Sequence, residues 1–282
     1  MFNDYNINLL IGLALCIVTP CKAADDTTHV PEWNLIWQDE FDYPLTSLEK
    51  HWNFEIGYGS KGWGNNEWQE YTKDNVEIIG GSLVITARSS KKPGKRDGSI
   101  TSSRLTTLGK FQFEPGVRIK SRIKLPWGQG IWPAFWALGS NHSSIGWPTC
   151  GEIDILEMIG GNPISNANNY TIHSTAHWND NYDSNIFYKH AQYGKHKVIE
   201  NSLSDEYHIF ELIYANDYLE TKIDGDSIFK MDTKVGKVVK PFHNTFYLIL
   251  NLAVGGNWPG NPTPETIFPQ KLYIDYIRVY QR

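Results

Sequence analysis

Three carboxylic acids, Glu152, Asp154 and Glu157, interrupt an apolar run in GEIDILEMIG at residues 151–160. Their neighbours Ile153, Ile155, Leu156, Met158 and Ile159 read as a buried strand. Ionisable groups in such a strand are costly unless a cleft uses them, because desolvation disfavours the charged form. In a regular strand residues two apart share a face and residues five apart do not, so Glu152 and Asp154 would point one way and Glu157 the other. One extra residue, a β-bulge between Asp154 and Glu157, restores the phase and turns all three acids to one face. With that bulge the spacing predicts Glu152 and Glu157 two strand steps apart, roughly 6 to 7 Å at the backbone. Carboxyls about 5 to 5.5 Å apart can act as nucleophile and acid/base on opposite sides of a glycosidic bond, with configuration retained. The pattern also fits the polar face of an ordinary half-exposed strand. The surroundings favour a sugar-binding cleft, since Trp132, Trp136, Trp147 and His177 lie nearby in sequence and supply aromatic rings beside the acids.

The elements that must position these groups are strands. Residues 117–125 alternate cleanly, with Val117, Ile119, Ile123 and Leu125 on one face and Arg118, Lys120, Arg122 and Lys124 on the other. Residues 207–214, 218–223 and 228–231 form a meander, punctuated by Asn216-Asp217 and Asp224-Gly225. Further apolar strands occupy 246–254 and 272–280, and no stretch carries a helical period. The expected fold is all-β: a sandwich (jelly roll) of two stacked antiparallel sheets with a cleft on its concave face. The polar stretch 161–205 reads as loop and cleft rim, and 91–98 as a charged surface loop.

The chain has 282 residues, 40% hydrophobic, 13% aromatic and 20% charged, which describes a folded globular protein rich in large rings. A formal net charge of −5 and the lack of a Lys/Arg cluster argue against a nucleic-acid partner. The apolar run INLLIGLALCIV at residues 7–18 is too short to span a bilayer and suits the core of a signal peptide. Lys22, Ala23 and Ala24 offer a small-residue cleavage site, although a basic start is missing. The expectation is therefore a leader at 1–24, one domain at 25–282, and a secreted, extracellular or periplasmic product with no membrane attachment after cleavage. Of the three cysteines, Cys16 and Cys21 fall in that leader, so no internal disulfide is expected. Cys150 reads as a small packing residue rather than a thiol nucleophile.

The chain resembles the laminarinase-like members of glycoside hydrolase family 16, endo-acting β-1,3-glucanases. The matching segments are WQDEFD (37–42), GWGNNEWQEYT (62–72), GSLVITAR (81–88), SSRLTT (102–107), GIWPAFWALG (130–139), GEIDILEMIGG, STAHW (174–178), NLAVGGNWPG (251–260) and DYIRVYQ (275–281). The bulged acid spacing separates this branch from the mixed-linkage β-1,3-1,4-glucanases, which lack the extra residue. The resemblance implies Glu152 as nucleophile, Glu157 as general acid and then base, and Asp154 as a partner sharing a hydrogen bond with Glu152. No cofactor is then required for the chemistry. Trp136 and Trp132 are offered as substrate platforms, with the alternative that one belongs to the core. Asn66, Glu67 and Arg104 either bind sugar hydroxyls or order their loops; His177 stands near the acids; Trp258 lines a cleft edge or anchors a turn. The resemblance also implies a structural calcium held by Glu40 and Asp275, whose other reading is local hydrogen bonding. The partner is then a β-1,3-glucan. A glucan-recognition protein without activity remains an alternative, as does an enzyme for mixed-linkage glucan or a marine galactan. Binding-only relatives have typically lost the acids, and this chain keeps all three.

Overall fold

Alternation sets the layers of this protein. In the strand Val117–Lys124 every second residue is buried, with Val117, Ile119, Ser121 and Ile123 inward and the four basic residues between them outward. This computed structural model describes residues 32–161, 167–181, 189–236 and 240–282, so the expected leader at 1–24 lies outside the described residues. Residues Trp33–Arg282 form the folded unit.

Among the described residues there are two sheets. One has seven antiparallel strands, in the order His190–Val198, Thr171–Asn179, Glu152–Glu157, Ile131–Gly139, Phe246–Val254, Arg104–Thr106 and Asn53–Glu55. The other has ten, built around Val117–Lys124, the meander His208–Tyr214, Tyr218–Ile223 and Asp226–Asp232, and the long strand Gln270–Gln281. Only a four-residue α-helix, His142–Ile145, and short helical turns interrupt the β pattern among the described residues. The inner faces pack on each other as a sandwich, with Phe135, Ile153, Leu248 and Leu250 from one sheet and Ile119, Phe210, Ile274 and Ile277 from the other fully buried.

Every residue of Phe246–Val254 is buried, because this strand is central and covered on both sides. Phe246, Leu248, Leu250, Leu252 and Val254 join the main core. Tyr247 and Ile249 face the other way and form a second cluster with Leu138 and Cys150, against which Trp136 packs. That cluster is the apolar floor of a cleft on the outer face of the seven-stranded sheet.

The stretch 161–205, expected to be loop, instead contains two nine-residue strands, Thr171–Asn179 and His190–Val198. Their pattern is weak in sequence for a physical reason. Thr171–Asn179 puts the small residues Ser174 and Ala176 on its core face, and His190–Val198 is an edge strand with few buried positions.

Candidate active site

The phase problem of the three acids is solved as the spacing demanded. On the side of Ile131–Gly139, Asp154 lies opposite Trp136 while Leu156 lies opposite Phe135, so Ile155 is the extra residue. On the other side the pairing jumps from Asp154 opposite Thr175 to Glu157 opposite His173. The two bulge residues Ile155 and Leu156 both enter the core, 0% and 1% exposed, and the buried Ser174 hydroxyl donates to the Ile155 carbonyl at 2.6 Å. Glu152, Asp154 and Glu157 consequently line one cleft of about 670 Å³.

The predicted backbone spacing needs correction. Glu152 pairs with Leu138 and Glu157 with Ala134, four ladder positions apart. That is roughly 13 Å at the backbone, twice the expected figure.

All three acids resist ionisation. Burial, then the charge of Asp154, pushes Glu152 up to about 8, with His177 and Arg104 opposing and Glu157 adding to the rise. Burial alone pushes Asp154 up to about 8. Glu157 also reaches about 8, chiefly by burial and then by Asp154, against His177 and the Trp132 indole. His177 sits between the first two, its Nε2 3.1 Å from Asp154 Oδ2 and 3.8 Å from Glu152 Oε1. Both acids thus face the same imidazole nitrogen. These three side chains offer ligand atoms within 4.8 Å of one another, so they are also the described group able to hold a metal ion.

Trp132 and Trp136 share the cleft face of their strand with Ala134. The Trp132 indole donates to Glu157 Oε1 at 3.0 Å and meets Trp258 edge-on, with ring centroids 5.5 Å apart. Trp258 also meets His173 edge-on. Trp136 donates to Asn251 Oδ1 at 2.7 Å, and Asn251 donates to the Tyr71 hydroxyl at 3.3 Å. Tyr71 in turn donates to Glu67 Oε2, which also accepts from Gln69 at 2.7 Å. Glu67 is thus the buried end of a chain that fixes Trp136, and burial raises its pKa. Arg104 pairs with Glu55, its guanidinium 4.8 Å from the centroid of Trp63 and 4.9 Å from that of Trp136.

Asn66 bonds to Asn257 Oδ1 at 2.9 Å, and its neighbour Asn65 is the one lining the cleft. The loop holding them is tightly wound. Gly62 has φ +60°, and a Cβ there would stand 2.7 Å from the Glu67 nitrogen. Trp63 follows it with φ 54°, a left-handed conformation that side chains avoid. Sequence reasoning missed Glu55, Trp63, Asn251 and His190; for Trp63 and Asn251 the only signal was their place inside motifs already noted, and Glu55 and His190 lie outside all of them. Cys150 is fully buried, and burial pushes its thiol up to about 12, which fits a packing residue.

Glu40 and Asp275 do not fit a calcium shell as they stand. Arg278 grips both oxygens of Glu40 at 2.7 and 2.9 Å, and Arg122 holds Asp275 at 2.8 Å. A cation would have to displace both guanidinium groups.

Comparison with known proteins follows the geometry. The clotting factor G alpha subunit of Tachypleus tridentatus is 36% identical over 96% of this chain. A beta-glucanase of Rhodothermus marinus is 33% identical over 98% of it. The chain spans only 38% of the first relative's length but 92% of the second's. The solved laminarinase catalytic domain of Thermotoga maritima superposes with a TM-score of 0.77 at 40% identity, covering 89% of this chain and 99% of that one. No helix among the described residues is long and apolar enough to cross a membrane. Residues 64–278 match the profile of glycosyl hydrolases family 16, and with most of its length matched in this way the chain belongs to that family.

Proposed function

We propose that this chain is a retaining endo-glycosidase that cleaves β-1,3-glucosidic bonds in laminarin-like glucans. The observation that carries the reading is the bulge that turns Glu152, Asp154 and Glu157 into one tryptophan-lined cleft. Glu157, held protonated by its burial, donates its proton to the leaving glycosidic oxygen while Glu152 attacks the anomeric carbon. Glu157, now a carboxylate, takes a proton from water as that water releases the sugar from Glu152 with retention. Each step uses only the proton and electron pairs of the two glutamates and one water. His177, with its Nε2 3.8 Å from Glu152 Oε1, favours the ionised nucleophile against burial and the charge of Asp154, both of which favour the neutral form. Trp136 and Trp132 present ring faces to the apolar side of the pyranose, and Arg104, Asn65 and Trp258 border them.

The substrate assignment is supported by two of its relatives, a beta-glucanase and a laminarinase catalytic domain. Export, with a leader at 1–24 and the domain at 25–282, belongs to the same proposal and is supported by the apolar run at 7–18.

The test is product analysis after incubation with laminarin, lichenan, agarose and carrageenan, beside a Glu152→Gln variant. Short β-1,3-oligosaccharides from laminarin alone, absent with the variant, are the expected result. Products only from a galactan would overturn the substrate. Binding of laminarin without products would replace the enzyme by a recognition protein.

A further inference from the structure

Two histidines meet at the edge of the acid cluster. Nδ1 of His177 and Nε2 of His190 are 2.9 Å apart, and their rings are inclined by only 21°. The opposite nitrogen of His177, Nε2, faces Asp154 Oδ2 at 3.1 Å and Glu152 Oε1 at 3.8 Å. A neutral imidazole has one N–H and one lone pair, so its two contacts are coupled. With the proton on Nδ1, His177 would donate to His190 and turn a bare lone pair toward two carboxyl groups, a repulsive arrangement as soon as either ionises. With the proton on Nε2, His177 turns an N–H toward Asp154 Oδ2, a buried oxygen with no hydrogen-bond partner, and Nδ1 is free to accept.

We infer that His190 is a positioning residue whose Nε2–H donates to His177 Nδ1 and thereby holds the His177 N–H on the acid side. The inference rests on the assignment of Glu152 as nucleophile. His190 does not touch the acids; it acts through His177.

The surrounding structure is built to deliver His190. Asn179 is 1% exposed, and its Oδ1 accepts the backbone N–H groups of Asn181 and Lys189 at 2.9 and 2.8 Å. Its Nδ2 donates to Thr149 Oγ1 at 3.1 Å, tying the start of the His190 strand to the turn that carries Trp147. Trp147 then packs over both imidazoles, with centroids 4.8 Å from His190 and 6.2 Å from His177. One buried amide therefore fixes both walls of the histidine pair. Burial and the neighbouring His177 also lower the pKa of His190, which keeps it neutral and able to donate from a single nitrogen.

A preoriented donor acts without reorganisation when charge on the nucleophile changes. Partners that orient metal-bound imidazoles are worth about 10- to 100-fold in affinity or activity, and the same orienting role sets the scale expected here.

The experiment compares His190→Ala and His190→Gln in the full chain, using a soluble β-1,3-gluco-oligosaccharide and ¹⁵N NMR of His177. His190→Ala should lower kcat about tenfold at nearly constant KM, and the His177 ¹⁵N shifts should move from the Nε2–H form toward a mixture of tautomers. His190→Gln restores a donor amide and should recover both. An unchanged His177 tautomer or unchanged kcat in His190→Ala would overturn the inference. So would a Gln variant as impaired as Ala, which would indicate a purely structural loss. Glu152→Gln is measured alongside: if it still turns over, the nucleophile assignment itself fails, whereas its inactivity beside a normal His190→Ala removes only the role of His190.

Discussion

The indole of Trp132 is hydrogen-bonded to Glu157, Nε1 to Oε1, at 3.0 Å. A donor aimed at a carboxyl oxygen favours the carboxylate, so this bond works against the burial that keeps Glu157 protonated. The ring proposed as a sugar platform and the donor that tunes the acid are here the same side chain.

Trp132→Phe separates the two roles. The phenyl ring keeps an apolar face but loses the donor, so the pKa of Glu157 should climb above its value of about 8. The basic limb of the kcat/KM profile should then move to higher pH, with a modest rise in KM. A pH–rate series on a soluble oligosaccharide checks it; a limb that moves down would show that Glu157 is not the acid being read.

The acid cluster should cost the fold stability in a pH-dependent way. Asp154 titrates near 8 when folded, far above an exposed aspartate near 4. Between those values the folded state binds more protons than the unfolded one, so stability falls as pH rises through about 4 to 8. Asp154→Asn removes the share of that dependence due to Asp154 and leaves that of Glu152 and Glu157. The variant should match the parent near pH 4 and exceed it by a few kcal/mol near pH 8, while losing much of its activity. Thermal melts at the two pH values measure the difference.

The chain of hydrogen bonds behind Trp136 yields a third expectation. Tyr71 is fully buried and joins Asn251 to Glu67, two residues far apart in sequence. Tyr71→Phe would strand an Asn251 N–H and take a donor from Glu67, a loss of about 1 to 3 kcal/mol. Trp136 would also lose the support that orients it, so KM for laminarin should rise more than kcat falls. Urea unfolding and steady-state kinetics on the same preparation test both halves.

These cases mark what the sequence could carry. The bulge was legible because a face violation by Glu157 within five residues has one inexpensive remedy. Its metric follows from the same count, since five residues less one bulge leave four ladder positions, the separation between Leu138 and Ala134 on the next strand, and not the two first expected. Glu67 could be nominated from its motif, but its connection to Trp136 runs through Asn251, whose link to Tyr71 spans 180 positions. Glu40 and Asp275 are offered as calcium ligands by the family resemblance. Their arginines, Arg278 and Arg122, come from strands whose register the sequence did not fix in advance. His190 was invisible because its strand lies at a sheet edge, where burial imposes little pattern.

Ser174 offers the sharpest test of the bulge itself. Its buried hydroxyl donates to the Ile155 carbonyl, one of the backbone groups that the extra residue takes out of regular pairing. Ser174→Ala changes no atom in the cleft and leaves that carbonyl without its donor, at a cost of about 1 to 3 kcal/mol. If the hydroxyl only stabilises, activity per folded molecule should be unchanged. If it holds the bulge in the phase that aims Glu157, kcat should fall several-fold, and the loss should be greater for a poor leaving group than for an activated aryl glycoside, because acid assistance matters most where the leaving oxygen is basic. The bulge geometry makes the second outcome the expected one, and equal losses on both substrates would remove Ser174 from the aiming of Glu157.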